Sequence, residues 1–199
     1  MRLALLSPFL LSCLVAAQLP VSLTGRIEPA TSPCNPAATH VVGCTEILLR
    51  GDGVDLGALE GRVVDITGVS EGTTACPLVA VTAAVAAPQS TSTFSLGNYR
   101  INTNLVFTTT APVGAAVAYF FSCESGFLPL LTFGTLQLNP LTDFVYWGID
   151  ISIGVALRTV RIPNEPGLIG QRALFQTAFV TVTPTFEARL LNAGCFVIQ

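Results

Sequence analysis

Gly68-Val69-Ser70-Glu71-Gly72 has the spacing of a nucleophile elbow, G-x-S-x-G, in which a strained strand-to-helix turn exposes a serine. That chemistry takes its base from a histidine that follows the serine. The only histidine here, His40, precedes it, and no helical pattern follows Gly72. The pentapeptide therefore reads as a glycine-bounded turn at a strand end. Cys34, His40, Cys44 and Cys76 are the one Cys3His set, and thiolate with imidazole is what tetrahedral zinc accepts. Zinc sites present closely spaced knuckle pairs. Here five residues separate Cys34 from His40 and no second knuckle follows, so a disulfide is the expected fate of these thiols and no metal is expected.

Asp52 and Asp55, in Gly51-Asp52-Gly53-Val54-Asp55, offer hard oxygens for calcium, but the alternate acidic positions and terminal glutamate of a calcium loop are missing. A β-turn accounts for them. Glu124, Asp143 and Asp150 are the carboxylates that a glycosidase pair would need, and spacing along a chain does not define such a pair. Tyr119-Phe120-Phe121 and Tyr146-Trp147 are candidates for a sugar-stacking platform, although aromatics inside strand patterns are ordinarily core. No catalytic residue, metal ligand or cofactor site is assigned from these groups, because too few titratable side chains converge.

The cysteines carry more information. Past residue 17 there are Cys34, Cys44, Cys76, Cys123 and Cys195, an odd set that leaves one thiol unpaired within the chain. Cys123 with Cys195 is the expected bridge of the second half, and the chain-entropy account values its closure at about 4 kcal/mol. In the first half Cys34 with Cys44 is preferred, and Cys34 with Cys76 is the rival.

Oxidation requires export, and the first seventeen residues supply the means. Arg2 precedes an apolar stretch, Leu3 to Val15, too short to span a bilayer, and Val15-Ala16-Ala17 presents small residues before Gln18. Residues 1–17 read as a signal peptide cleaved after Ala17. Leu10-Leu11-Ser12-Cys13 is similar to a lipobox, so lipid anchoring at Cys13 is the alternative; both routes export the chain.

The chain has 199 residues, 51% of them hydrophobic and 11% charged, which excludes disorder because such a sequence can offset its conformational entropy by burial. There is no lysine, and the nine arginines are scattered singly in a chain of net charge −3. Nucleic-acid binding needs a concentrated cationic face and is excluded as a partner class. The charge-free interval between Arg100 and Glu124 is long enough to span a bilayer, but its Asn, Thr, Pro and Gly content makes it strands, so no transmembrane segment is expected in the mature chain.

The elements are strands. Val21, Leu23, Gly25 and Ile27 alternate with polar residues at a period of two, and Val41–Arg50, Gly61–Val69 and Leu78–Ala87 continue in β-branched runs. Residues 19–87 predict a small closed barrel, since closure removes exposed edges. Ala86 to Ser92 is small, polar and proline-marked, and residues 88–92 read as a linker. Beyond it, residues 93–199 hold eight runs separated by Pro, Gly or Asn, which predicts an antiparallel β-sandwich. The expected fold class is all-β, an OB-like barrel followed by a sandwich.

Leu23-Thr24-Gly25-Arg26-Ile27, Leu59 to Gly68 and Leu78 to Thr82 together resemble the strand pattern of small exported OB-fold domains. Pro163 to Gly170, Phe175-Gln176 and Leu191-Asn192-Ala193 resemble a C-terminal β domain, without assigned activity, of exported bacterial proteins. The two resemblances imply an architecture and an exported location. The function expected from the residues is that of a non-catalytic envelope or secreted module, structural or adhesive, whose partner is an envelope protein or a polysaccharide. The alternative is a ligand-binding module that uses the OB-like barrel for an oligosaccharide or peptide, which exposed aromatics on one barrel face would favour.

Overall fold

The computed structural model describes residues 18–31, 33–73, 75–87, 93–182 and 185–199. The signal peptide and the linker expected from the sequence fall outside the described residues. The described residues form fourteen strands and three single 3-10 turns, and no α-helix.

The first five strands are β1 (Pro20–Pro29), β2 (His40–Val42), β3 (Leu48–Gly51), β4 (Val63–Ser70) and β5 (Leu78–Ala86). They close in the order β1-β2-β3-β5-β4, with β3 and β5 parallel and the other pairs antiparallel. This is the OB-like barrel. Alternation drives it: Val21, Leu23, Ile27, Val42, Leu49, Val64, Ile66, Val79 and Val81 point inward as one buried cluster. Burial of each such side chain contributes roughly 1.5–3 kcal/mol. The expected run from Val41 to Arg50 is two strands, because Gly43 and Cys44 turn the chain between them and Cys44 takes a positive φ of 66°.

The later strands are β6 (Thr93–Gly97), β7 (Asn104–Thr110), β8 (Ala116–Ser122), β9 (Ser125–Pro129), β10 (Thr135–Leu138), β11 (Val145–Ile151), β12 (Val155–Arg161), β13 (Arg172–Thr181) and β14 (Glu187–Val197). A three-stranded sheet, β12-β7-β6, faces a four-stranded sheet, β11-β8-β13-β14. Leu105, Phe107, Val117, Tyr119, Phe121, Val160, Phe175, Phe179 and Phe196 fill the space between them. Phe107 meets Phe121 and Phe175 edge to face, with ring centroids 5.1 and 4.7 Å apart. The two-stranded ribbon β9-β10 lies on the other face of the four-stranded sheet, where Leu136 and Leu138 pack on Leu174 and Leu190.

That ribbon also joins the sandwich to the barrel. Thr135 Oγ1 donates to the Ser22 carbonyl at 2.7 Å, and Gln137 Nε2 donates to the Thr24 carbonyl at 2.7 Å. Beside them Arg189 on β14 donates to Asp65 on β4 and to Thr24 Oγ1.

The disulfides differ from the expected pairs. Cys34 bonds Cys76, with Cα atoms 6.1 Å apart, and Cys44 bonds Cys195, with Cα atoms 5.5 Å apart. The expected Cys123–Cys195 bridge is excluded by strand order. Leu174 on β13 faces Ser122 on one side and Cys195 on the other, so two strand spacings, roughly 10 Å, separate the candidates. The preferred Cys34–Cys44 pair gives way to the rival Cys34–Cys76. Strand β2 separates Cys34 from Cys44, whereas the loops carrying Cys34 and Cys76 meet at one end of the barrel. Two disulfides belong to a non-reducing environment, and no helix of the described residues is long and apolar enough to cross a membrane.

Candidate functional site

The residues singled out for chemistry do not assemble. Ser70 ends β4 and His40 opens β2, and β1 lies between them with its Pro20 end beside Val69 and its Pro29 end beside His40, so the two residues sit at opposite ends of the barrel. His40 is engaged elsewhere, with Nδ1 2.8 Å from Thr39 Oγ1 and Nε2 3.1 Å from Glu60 Oε1. The Cys3His set is divided between two disulfides, and among the described residues no group of His, Cys, Asp or Glu could hold a metal ion. Asp55 Oδ1 accepts from the Gly57 backbone N–H at 3.0 Å, which is turn chemistry. Glu124 accepts from Asn139 and Thr142, and Asp150 pairs with Arg158 at 3.1 Å.

The aromatics divide between core and surface. Tyr119 and Phe121 are buried between the sheets. Burial first, then the nearby Asp150 carboxylate, pushes the Tyr119 phenol up to about 12, against the opposing influence of Thr109 and Arg158. Phe120 points the other way and stacks on Phe144 at 5.5 Å, with Tyr146 tilted against it at 6.0 Å. Between residues 19 and 87 there is no Phe, Tyr or Trp, so the barrel offers no aromatic platform for a sugar. Its outer cleft, about 400 Å³, is lined by Ala30, Pro33, Cys34, Val41, Glu46 and Leu48, under the loop that the Cys34–Cys76 bridge holds in place.

Two apolar cavities lie in the sandwich. The first, about 330 Å³, opens between the sheets at the end where β8 finishes and β11 starts. Phe121, Trp147, Val160 and Phe196 line it, with Asp143, Arg161 and the free thiol of Cys123 around it. Burial, followed by the charges of Asp143 and Glu124, raises the Cys123 thiol above its ordinary value, so at neutral pH it is a protonated, weakly nucleophilic group.

The second is a groove of about 570 Å³ on the outer face of the four-stranded sheet. Phe120, Ala178 and Val180 form its floor, and Leu130, Phe133, Phe144 and Phe186 form its walls. Leu131, exposed at the turn beside it, has a φ of 47°, a left-handed conformation that a branched side chain rarely adopts. The walls come from separate loops, so no local periodicity marks them. The available sequence signal is absence of charge, from 125 to 142 and again from 173 to 186.

No protein-family profile, curated protein or solved structure matches this chain.

Proposed function

We propose that this chain is an exported, non-catalytic module that works by contact, and that the contact surface is the apolar exterior of the sandwich. The observation that carries the reading is the groove over Phe120, Ala178 and Val180, continuous with exposed Tyr146, Ile149 and Ile151 on the edge strand. A solvated protein rarely leaves an apolar surface of this extent without a partner for it. Export is supported by the two disulfides together with the Arg2-to-Ala17 leader pattern. The non-catalytic reading is supported by the dispersal of the titratable groups into turns and ion pairs.

The test uses the producing cell. A photoreactive residue at Val180 should yield covalent adducts with an envelope component, whereas one at Thr82 on the barrel should yield none. Mass spectrometry of the same material should find the chain starting at Gln18. Equal labelling from both positions, or an intact cytosolic chain that begins at Met1 and is fully reduced, would sink the proposal.

A further inference from the structure

At the end of the sandwich opposite the Cys123 cavity, the turn from β7 to β8 (residues 111–115) lies beside the turn from β11 to β12 (residues 152–154). Each presents an aliphatic side chain at its apex, Val113 at 76% and Ile153 at 85% exposure. Below the apices, Ile151 and Val180 are exposed on one outer face of the sandwich, and Val155 and Leu157 on the other. The apolar surface thus wraps around a convex tip.

Two further observations say what medium this tip suits. The first is that several backbone polar groups flanking the two apices are bonded across or within the turns. Gly114 N–H donates to the Ser152 carbonyl at 2.7 Å, and Ser152 N–H donates to the Ala115 carbonyl at 2.8 Å. Ser152 Oγ donates to the Ala111 carbonyl at 2.8 Å and accepts from the Gly154 N–H at 3.1 Å. Each group bonded in this way is one fewer to be desolvated unpaired when the turns leave water. The second is the placement of charge. Residues 101–123 and 151–157 carry none. The first charged groups above the apices on β11 and β12 are Asp150 and Arg158, already paired with each other at 3.1 Å. They lie three residues above Ile153 and four above Gly154, roughly 10 Å at the rise of a strand. That depth is where an interfacially bound element meets the headgroups. Glu187, on the far edge strand β14, restricts entry to the side of β11 and β12.

From this we infer that the tip formed by Val113 and Ile153 inserts into a lipid bilayer, with the Asp150–Arg158 pair at the headgroup level. The inference rests on the contact reading above and names its partner. A protein partner would need a separate pocket for each apex and would leave one flank of the wedge wet. A bilayer covers apices and both flanks together. With no lysine in the chain and no unpaired arginine at the tip, attraction to anionic lipid plays no part, so neutral phosphatidylcholine is the partner to use.

The experiment is flotation of the oxidised chain, residues 18–199, with phosphatidylcholine vesicles. Wild type should float, and Val113→Glu/Ile153→Glu should reduce the bound fraction at least tenfold while the thermal midpoint changes little. In a Trp147→Phe background, Ile153→Trp should shift its emission to the blue on vesicle addition and be quenched by brominated acyl chains. Failure of wild type to float would overturn the inference. So would flotation insensitive to the double substitution, or a wild-type dimer that the double substitution converts to monomer, since the tip would then serve a second copy. A photoreactive residue at Val180 that still labels an envelope protein in those cases would leave the contact reading standing and remove only the lipid.

Discussion

Tyr119 shows how one buried group ties the surface charge of the sandwich to its stability. The phenol sits between the sheets, the Arg158 guanidinium stands 6.0 Å from the ring centroid, and Asp150 lies beyond it. Its folded value of about 12 exceeds the ordinary 10.0, so an unfolded chain ionises first as pH rises. The stabilisation from the neutral, buried phenol is therefore complete below pH 10 and lost as pH climbs toward 12. Thermal midpoints measured across that interval should fall for wild type, and Tyr119→Phe should remove part of the fall. A tyrosinate absorbance titration should find one group with a midpoint near 12, absent in Tyr119→Phe. At this scale the sequence was a partial guide. The Tyr119-Phe120-Phe121 run was legible as strand, and the alternation sends Phe120 to the face opposite its neighbours. Its partner Phe144 could not be read from local pattern because it arrives from a loop.

Among the elements, the β9-β10 ribbon has the least sequence signature and the largest part in the architecture. Leu130 to Asn139 is one uncharged, largely apolar stretch that local pattern alone does not divide. In the fold a turn occupies Leu131–Phe133, only Thr135–Leu138 is strand, and Ser125–Pro129 returns antiparallel beside it. What fixes the ribbon is a pair of buried glutamines that no periodicity reveals. Gln176 Oε1 accepts from the Gln137 backbone N–H at 2.9 Å, and its Nε2 donates to the carbonyls of Thr135 at 3.0 Å and Leu191 at 2.8 Å. Removing that amide strands one donor and weakens two acceptors in a site without solvent. Gln176→Leu should therefore cost about 2–4 kcal/mol, read as a lower urea midpoint with an unchanged slope. A loss below about 1 kcal/mol would mean that water reaches the site, and the ribbon would then not be a fixed part of the fold. The barrel strands were legible because their alternation is strict. The ribbon was not, because its stability lies in contacts with distant elements.

For the whole molecule, the decisive link is Cys44–Cys195, which spans 151 residues and fastens the barrel turn between β2 and β3 to the last strand of the sandwich. Cysteine count and compartment were readable, but pairing depends on which strands lie side by side, and β13 between β8 and β14 is a fact of topology alone. The chain-entropy account values a loop of this length at about 5 kcal/mol and the 42-residue Cys34–Cys76 loop at about 4 kcal/mol. The larger difference between them should be mechanical. Cys34–Cys76 braces one end of the barrel, whereas Cys44–Cys195 keeps barrel and sandwich together when the chain between them is cut. With a protease site placed between Ala87 and Thr93, cleavage should leave a single band on a non-reducing gel and two bands after reduction. The Cys44→Ser/Cys195→Ser variant should give two bands in both, and Cys34→Ser/Cys76→Ser should behave as the parent. Two bands from the oxidised parent would show that the bridge is not formed. The noncovalent seam, which holds Thr24, Asp65, Gln137 and Arg189 beside the Thr135–Ser22 bond, would then fasten the cleaved halves, and they should separate more readily on native size exclusion as salt weakens the Asp65–Arg189 pair.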